Sequence, residues 1–434
     1  MTIDSLINIF VQLGCDKFYA KELSENDNSK QQIYLGANFQ EVTHIPKREI
    51  SSDHSGDRKT VSFKADLTLY WLNENFKPEL APKAKLIWYP NYPEVRLSGF
   101  LFKCSASPSE YMSAKRRLKG RVLFFGIDSA KGVVFCYLGI PDSQLSLEFL
   151  NKKWKSTQGV LIDLKLTPQT NSLMELMNKL YEIHHKGFID GCKMELDYSI
   201  NPYKAQNAGG LTLEAMLGIK PNSYSEPDYL GWEIKSFGVK DFDILRNRQL
   251  TLFTSEPDLG LYPEDFEKFM FAYGKAKTQA RIDFTGGHLA KLVCSSTGLR
   301  MIVKGFNFEK NEINQADGRV VLLDNRDEIA AGWSFSKLLD HWEKKHANAC
   351  YVPVIRDGSR YAFGNNIILG LRTSFLHFIT ALNYGIVKYD PGNNIKFKNG
   401  AIIEKKQRNQ FRMSSSYIGG LYNEIKEIDI IKEI

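Results

Sequence analysis

Two carboxylates and an ammonium group lie close together in the sequence, at Asp228, Glu233 and Lys235. The run 232–237 is typical of a short strand, in which successive side chains point to opposite faces. Glu233 and Lys235 are therefore predicted to share one face, with Asp228 just before the strand. Paired carboxylates are hard oxygen ligands that suit Mg²⁺, and a neighbouring lysine can orient an attacking water. This spacing favours metal-assisted hydrolysis of a phosphodiester.

The turn before this strand decides where Asp228 lies. Pro227 and Gly231 flank it, so we expect the chain to bend back and bring its carboxylate beside Glu233. Glu214, on a helix predicted around 212–217, is expected to point at the same place, although a first-turn helix acid is the alternative interpretation. For Asp228, Glu233 and Lys235 taken together, the alternative is a half-exposed strand whose charged side chains are solvated. Charged residues are common enough for this spacing to arise by chance.

Several segments in a fixed order carry a more specific resemblance. They are Asn207–Glu214, Pro227-Asp228 with Glu233-Ile234-Lys235, and Leu250–Pro257. The acid–lysine pattern resembles the active site of the PD-(D/E)xK nuclease superfamily, and the ordered segments resemble the MvaI/BcnI family of restriction endonucleases. The resemblance implies an α/β, MutH-like nuclease core. It also implies that Asp228 and Glu233 hold Mg²⁺, that Lys235 positions the water and that Glu214 supports the metal shell.

Length and composition indicate two folded domains. The chain has 434 residues, 43% of them hydrophobic, and a net charge of +7. This length exceeds one typical domain, and the mild basic excess permits a polyanionic partner without requiring one. The six cysteines form no Cys-x-x-Cys pair, which argues against a zinc site or a disulfide scaffold. No secretion signal or membrane span is recognised, so we expect a cytoplasmic protein with no membrane partner.

We predict an α+β protein of two domains, a β-rich DNA-binding domain at 1–160 and a nuclease domain at 161–434. The best linker candidate is 155–170. Residues 1–160 carry 22 basic and 17 acidic side chains, a net charge of +5. The first domain is thus the more cationic part, as expected of an accessory DNA-binding domain.

Two polar segments of the first domain suit a DNA duplex. Their side chains are of the types that hydrogen-bond phosphates and base edges, and ordinary surface loops are the alternative. The first segment begins at the end of a predicted strand at 17–23 and contributes Lys21, Ser24, Asn26, Asn28, Lys30 and Gln32. The second begins at the end of a predicted strand at 84–89 and contributes Tyr89, Asn91, Tyr92 and Arg96. A basic run at 115–121 is either a phosphate-contacting edge or a solvated strand edge.

The pattern Lys-x-Leu-Ser-x-Asn-Asp at 21–27, together with the second segment, resembles the DNA-binding pseudobarrel of the EcoRII effector domain and of the BfiI and NgoAVII specificity domains. This resemblance covers roughly 15–145. A pseudobarrel joined to an MvaI-like nuclease resembles the UbaLAI type of restriction enzyme. It implies a monomer that cuts double-stranded DNA at a CCWGG-type site, with CCSGG as the alternative. Each domain would bind one copy of the site, and the tethered second contact would stimulate cutting.

Two regions of the second domain are further candidates for DNA contact. Arg246 and Arg248, in a loop after the catalytic strand, are expected to reach phosphates. The segment 404–412 follows a predicted loop at 390–400 and contributes Lys405, Lys406, Arg408, Asn409 and Arg412. Arginine and lysine pair with guanine, and asparagine with adenine, so this composition suits a mixed site. The family resemblance places a recognition loop here, although the histidines typical of the MvaI loop are absent; a solvated basic hairpin is the alternative.

The remaining elements follow from periodicity. We predict helices at 3–13, 172–185 and 262–273, a helix that begins at 333–336, and an antiparallel meander over 281–306 that includes a strand at 289–295. A strand at 250–254 is expected to pair beside the catalytic strand. Two other functions stay open at this point: a MutH-like strand-nicking repair nuclease, and a DNA-binding regulator with a vestigial nuclease centre.

Overall fold

The structure, a computed structural model, divides between Asn171 and Ser172 into two compact units. It describes residues 1–27, 32–42, 44–52, 61–113, 115–116, 118–152, 154, 157–158, 160–164, 172–205, 208–219, 228–246, 248–315, 317–346 and 348–434. In this part of the chain, no helix is long and apolar enough to span a membrane.

The first unit, Met1–Asn171, is rich in short strands. Its helices are α1 (Ile3–Gln12) and α2 (Gln144–Asn151), with a 3₁₀ turn at Phe39–Val42. Its strands are β1 (Lys17–Glu22), β2 (Gln32–Gly36), β3 (Ser51–Ser52), β4 (Phe63–Asp66), β5 (Thr68–Leu72), β6 (Pro78–Leu80), β7 (Lys85–Tyr89), β8 (Glu94–Ser98), β9 (Val122–Asp128), β10 (Val133–Gly139), β11 (Thr157–Gln158) and β12 (Leu161–Asp163).

These strands form two sheets, one in the order β11-β12-β1-β9-β10-β5-β6 and one in the order β2-β8-β7-β4-β3. Only Leu67 separates β4 from β5, so the chain passes directly from one sheet to the other. Helix α1 buries Leu6 and Phe10 against the larger sheet. The Phe10 ring lies so close to Gly126 that a Cβ there would come within 2.5 Å of it. Among the described residues the two sheets do not close into a barrel, and the predicted pseudobarrel is not confirmed.

The second unit, Ser172–Ile434, mixes helices and strands. Its helices are α3 (Ser172–His185), α4 (Ala208–Leu217), α5 (Leu261–Glu264), α6 (Phe266–Tyr273), α7 (Phe335–His346), α8 (Phe375–Asn383) and α9 (Ile430–Glu433), with a 3₁₀ segment at Ser415–Leu421. Its strands are β13 (Ile189–Asp190), β14 (Cys192–Met194), β15 (Ile200–Pro202), β16 (Glu233–Gly238), β17 (Gln249–Thr254), β18 (Lys275–Thr278), β19 (Arg281–Thr285), β20 (Arg300–Lys304), β21 (Phe306–Asn307), β22 (Glu312–Ile313), β23 (Arg319–Leu323), β24 (Ile329–Ser334), β25 (Asn348–Asp357), β26 (Arg360–Phe363), β27 (Asn366–Thr373), β28 (Val387–Lys398), β29 (Ala401–Lys406), β30 (Asn409–Ser414) and β31 (Tyr422–Asp429).

One mixed sheet of the second unit carries the candidate catalytic strand. Its order is β13-β26-β25-β27-β31, and β16 joins it by pairing in parallel with β25. One face of this sheet packs against α3, α4 and α9, with Ile234 and Trp232 in the apolar cluster. Because neighbouring side chains alternate, Glu233 and Lys235 project from the other face.

A second sheet, in the order β17-β30-β28-β19-β18, carries the late basic segment. Its longest strand is β28, which pairs with β19 along one edge and with β30 and then β29 along the other. Cross-strand pairs along this ribbon place Arg281 beside Lys396, and Lys396 beside Glu404. The C-terminal half of β28 thus lies in a charged, antiparallel ribbon.

Several predicted elements are confirmed. The helices at 3–13 and 172–185 correspond to α1 and α3, and the strand predicted at 232–237 corresponds to β16. All three have a regular apolar period that local sequence expresses directly.

Other predictions are wrong, for physical reasons that the structure shows. The expected loop at 390–400 is mostly strand β28, because pairing on both edges outweighs its turn-forming composition. The strand β17 pairs with β30 rather than with the catalytic strand. The helix at 262–273 breaks at Asp265, whose side chain caps the new helix α6 by accepting from Lys268 N.

One further predicted strand and one helix boundary also differ from the structure. The segment 289–295 is a series of turns with isolated bridges rather than a strand. The helix expected to start at 333–336 begins at Phe335, because Trp333 and Ser334 belong to β24.

Candidate active site

A tight turn places Asp228 next to the candidate catalytic strand, β16. Tyr229 and Trp232 exchange two backbone hydrogen bonds, of 3.0 and 2.8 Å, around Leu230 and Gly231. Both central residues have positive φ, 48° and 88°, as in the two-residue turns that match the twist of a hairpin. The chain therefore reverses between Asp228 and β16, and Asp228 Oδ2 accepts a 3.0 Å hydrogen bond from Ile234 N. The half-buried carboxylate of Asp228 is fixed directly to the strand that carries Glu233.

Glu233 and Lys235 form an ion pair on the same face of β16. Lys235 Nζ donates to Glu233 Oε1 at 2.9 Å, and Glu233 is only 4% exposed. A buried carboxylate is costly unless it is paired and hydrogen-bonded, so this contact stabilises the ionised form. The pair places an ammonium group and an anionic oxygen side by side on the strand that follows Asp228.

Two tyrosines also lie on this face of the sheet. Tyr351 pairs with Lys235 in the parallel ladder, and its hydroxyl lies 2.9 Å from that of Tyr422. Burial raises the pKa of both phenols, and the negative charge of Glu233 raises it further. Both are therefore neutral hydroxyls at neutral pH. Sequence reasoning missed them, because they are more than a hundred residues from Lys235 and carry no motif.

The helix of Glu214 packs on the opposite face of the strand. Thr212 Oγ1 donates to Ala208 O at 2.7 Å and accepts from Cys192 N at 3.1 Å, which ties α4 to β14. A Cβ at Gly210 would lie 3.4 Å from Ser236 Oγ, on the side of β16 away from Glu233. Glu214 is half-buried on this helix. Its support of the metal shell stays a prediction.

The profile of the MvaI/BcnI restriction endonuclease family matches residues 177–422, which is more than half of the chain. The chain belongs to this family. An MvaI/BcnI-type enzyme is a type II, site-specific deoxyribonuclease, and enzymes of this type generally use a divalent metal ion. The matched region lies within the second unit and includes Asp228, Glu233 and Lys235.

Solved structures of MvaI are similar to this chain. One, described as "Restriction endonuclease MvaI-cognate DNA substrate complex", is 18% identical and covers 60% of this chain and 99% of that chain, with a TM-score of 0.44. The structure of MvaI in the absence of DNA is 16% identical and covers 61% of this chain and 100% of that chain, with a TM-score of 0.34. Among curated proteins, no relative matches this chain.

The donor set of the site fits a hard divalent cation. Asp228 and Glu233 offer carboxylate oxygens, and Mg²⁺ in proteins usually takes one or two carboxylates together with waters or substrate oxygens. Nowhere in the described part of the chain do three or more His, Cys, Asp or Glu side chains gather into a metal-binding group. The chemistry of two carboxylates suits a divalent cation whose remaining ligands are waters or substrate oxygens.

The residues of the first unit predicted to contact DNA have mixed environments. Lys21 is buried and its Nζ donates to Asp27 Oδ2 at 2.7 Å, so its charge is neutralised inside the unit. The carboxylate of Asp27 also accepts from Ser24 N, which leaves Ser24 and Asn26 on an exposed turn. Asn28 and Lys30 lie outside the described residues.

The second polar segment forms part of the smaller sheet. Arg96 Nη1 donates to Gln32 Oε1 at 3.0 Å, and its guanidinium lies 5.9 Å from the centre of the Tyr89 ring. Tyr92 is 65% exposed, and Asn91 is half-buried. The structure thus brings Gln32, Tyr89 and Arg96 together.

Within the predicted basic run of the first unit, Arg121 is fully buried. Its guanidinium donates to backbone oxygens of Leu118, Tyr111 and Ser24. It therefore stabilises the fold from inside.

In the second unit, the predicted DNA contacts divide by exposure. Arg246, Lys405, Lys406 and Arg408 are exposed, and Arg248 is half-buried. The guanidinium of Arg408 lies over Gly392, where a Cβ would come within 2.5 Å of its carbon. Arg412 Nη1 donates to Asp390 Oδ2 at 2.9 Å.

Asn409, predicted to read a base, is wholly buried. Its amide binds inside the protein to Tyr262, Tyr389, Asn393 and Glu256. The side chain is therefore not presented to DNA in this structure and instead holds β30, β28 and the start of α5 together.

Proposed function

We propose that the chain cuts double-stranded DNA by Mg²⁺-dependent hydrolysis of phosphodiesters at Asp228, Glu233 and Lys235. The observation that carries this proposal is the turn at Tyr229–Trp232, which fixes Asp228 to the strand of the Glu233–Lys235 ion pair. This turn and the family membership together support a site with two hard anionic ligands and one amine, on β16 and just before it.

Each side chain has a role that follows from its chemistry. Asp228 and Glu233 hold the metal ion, and Lys235 donates to the attacking water and orients it. The supporting role of Glu214 is carried over from the family resemblance, although its helix α4 packs on the opposite face of β16. When bound, Mg²⁺ supplies Lewis-acid stabilisation of the charge that develops on the phosphate oxygens. Since the described part of the chain carries one such centre, cutting both strands takes two successive nicks or two copies of the chain. The resemblance to monomeric restriction enzymes favours successive nicks by one chain.

The proposed target is a five-base-pair CCWGG-type site, carried over from the resemblance to restriction enzymes of this type. Exposed cations of the second unit, Arg246, Lys405, Lys406 and Arg408, suit contacts with phosphates or guanine edges. The first unit is proposed to bind a second copy of the site, with contacts from Gln32, Tyr89, Tyr92 and Arg96. The proposed division into an effector domain at 1–160 and a nuclease domain at 161–434 follows from these roles.

Digestion of a sequenced plasmid with the full chain and Mg²⁺, followed by mapping of the DNA ends, tests the proposal. We expect linear product with ends at CCWGG-type sites. Lys235→Ala should lower the cleavage rate by at least about 100-fold, because one catalytic group of this kind contributes about 10²–10⁴-fold. Lys240→Ala, five residues away on the exposed surface, is the matched control and should cut at the parent rate.

Three outcomes would contradict the proposal. Equal rates for Lys235→Ala and the parent would remove the assigned centre. Nicked circles that never become linear would indicate a repair-type nicking enzyme. Intact plasmid, with a specific duplex still bound, would indicate a DNA-binding regulator.

A further inference from the structure

The cations of β29, β30 and the link between these strands differ in what they bind inside the protein. Lys405 Nζ lies 2.5 Å from Glu267 Oε1, and Arg412 Nη1 lies 2.9 Å from Asp390 Oδ2. Among the described residues, no salt bridge joins the exposed guanidinium of Arg408 to a carboxylate. Arg408 therefore keeps its donors for a ligand outside the protein.

The backbone of Arg408 is held by two residues of the facing strand β28. Arg408 N donates to Asn393 Oδ1 at 2.6 Å, and Gly392 N donates to Arg408 O at 2.8 Å. The ladder of β28 continues to β29 on one side of this point and to β30 on the other. The side chain of Asn393 thus replaces a backbone acceptor and fixes the position of Arg408.

Asn393 belongs to a buried polar network. Asn393 Nδ2 donates to Asn409 Oδ1 at 3.0 Å, and the hydroxyl of Tyr389 donates to the same oxygen at 2.5 Å. Asn409 Nδ2 donates to the hydroxyl of Tyr262 at 2.7 Å, which in turn donates to Glu256 Oε2 at 2.7 Å. A satisfied buried network of this kind is rigid. It commits the amide nitrogen of Asn393 to the interior and leaves its oxygen to the backbone of Arg408.

A glycine leaves the space that the Arg408 guanidinium occupies. A Cβ at Gly392 would overlap the Nη2, Nε and Cζ atoms of Arg408. The guanidinium therefore lies against the backbone of β28, and both the backbone and the side chain of Arg408 are held before any DNA arrives.

We propose that Arg408 reads the major-groove edge of a guanine in the target site, and that Asn393 and Asn409 are the residues that position it. An arginine fork can donate two hydrogen bonds to guanine O6 and N7, a geometry that the point charge of a lysine lacks. A side chain held in advance also loses less conformational freedom on binding. This inference rests on the proposed function, since it concerns the same DNA target.

Replacement of single guanines in the DNA tests this reading. The target site is first mapped by plasmid digestion, so the test does not depend on a CCWGG-type sequence. Each guanine of that site is then replaced in turn by 7-deazaguanine, which lacks the N7 acceptor. Binding of the full chain to short duplexes, with Ca²⁺ in place of Mg²⁺, is measured by fluorescence anisotropy. At one guanine, we expect the modified duplex to bind at least about fivefold more weakly than the unmodified one, the lower end for an arginine–guanine pair.

Variants of the arginine and of its glycine neighbour identify the side chain that reads this guanine. Arg408→Ala should bind the modified and unmodified duplexes equally. Gly392→Ala, whose Cβ displaces the guanidinium and leaves the asparagine network in place, should reduce the difference in the same direction. Arg326→Ala is the matched control, because this exposed arginine is paired with Glu328 at 2.9 Å, and it should keep the full difference.

Variants of the network test the positioning role. Asn393→Ala removes the acceptor for Arg408 N, and it should reduce the difference between the two duplexes. Tyr262→Phe removes one hydroxyl of the network, should act in the same direction and serves where the Asn393 variant fails to fold. A purely structural role would weaken binding to both duplexes alike and leave their ratio unchanged, and that result in a folded variant would overturn the positioning role.

The reading of guanine fails separately from the proposed function. The inference is overturned if the parent cuts and binds its site while folded Arg408→Ala keeps the full difference between the duplexes. It is also overturned if Arg408→Ala weakens binding to every duplex by the same factor, which would assign Arg408 to a phosphate. A parent protein that neither cuts nor binds any duplex would overturn the proposed function, and this inference with it.

Discussion

At the scale of single residues, the buried carboxylate of Glu233 depends on the groups around it. Lys235 supplies the opposite charge at 2.9 Å, and the phenols of Tyr351 and Tyr422 lie on the same face of the sheet. Taking a carboxylate out of water is costly, and such a group persists when nearby donors and charges compensate. The centre is therefore a small polar cluster that extends beyond the acid–lysine pattern of the sequence.

The tyrosine pair gives a stability prediction. Tyr351→Phe and Tyr422→Phe each remove one hydroxyl of a buried hydrogen bond, and each should lower the free energy of unfolding by about 1 kcal/mol. The double variant should lose less than the sum, because the two hydroxyls interact directly. Urea denaturation measures this, with Tyr417→Phe, an exposed tyrosine, as the control. Strictly additive losses would show that the two hydroxyls do not stabilise each other.

The burial of one histidine leads to a prediction for the stability of the first unit in acid. The ring nitrogens of His44 are buried beside Tyr19, and burial, together with the charges of Lys17 and Lys47, lowers the pKa of this histidine to about 3. Below the unfolded pKa of about 6.5, His44 binds a proton in the unfolded chain but stays neutral in the folded chain. The free energy of unfolding of the first unit should therefore fall by about 1.4 kcal/mol per pH unit between about pH 6.5 and pH 3 from this group.

His44→Gln, which does not titrate, checks this slope. The stability difference between the parent and this variant, followed by chemical denaturation at several pH values, should shift in favour of the variant as the pH falls. Parallel curves for the two proteins over that range would contradict the assignment.

At the scale of elements, two short-range features and one long-range pairing assemble the centre. The turn at 229–232 and the alternation of β16 are local, whereas the parallel pairing with β25 brings Tyr351 from a distant segment. Tyr422 reaches the same face from β31 because its ring lies over Gly370 of β27. The absence of a side chain at 370 therefore lets three strands converge on one polar cluster.

Gly370→Ala tests this packing. Its Cβ would lie 2.6 Å from the Tyr422 ring, so the ring must move, and overpacking of this kind costs about 1–3 kcal/mol. We expect a lower midpoint of thermal unfolding and a slower cleavage rate. Gly238→Ala, on strand β16 of the same sheet with no atom within 4 Å of the new Cβ, should change neither. Equal midpoints for the two variants would show that the glycine is not required for the ring.

At the scale of the whole molecule, the family match accounts for the second unit and leaves 1–171 outside it. A separate β-rich unit on the same chain suits a second DNA contact, since tethering raises the effective concentration of the other site. This is the physical basis of the proposed effector role.

Plasmids with one site and with two sites test that role. At low concentrations of the full chain, the two-site plasmid should be cut faster per site, and an added short duplex that carries the site should speed cutting of the one-site plasmid. Tyr92→Ala, at an exposed predicted contact of the first unit, should reduce this stimulation while leaving the slow one-site rate intact. Equal rates on both plasmids would remove the effector role.

The local sequence determined the shared face of Glu233 and Lys235, the reversal of the chain before them and the helices α1 and α3, because each depends on a few neighbouring residues. The tertiary structure alone decided the tyrosine neighbours of Glu233, the partner of β17 and the internal position of Asn409. It also turned the Pro- and Gly-containing segment 390–400 into strand. Those outcomes depend on which distant strands pair and which side chains that pairing buries, and no local period or composition specifies either.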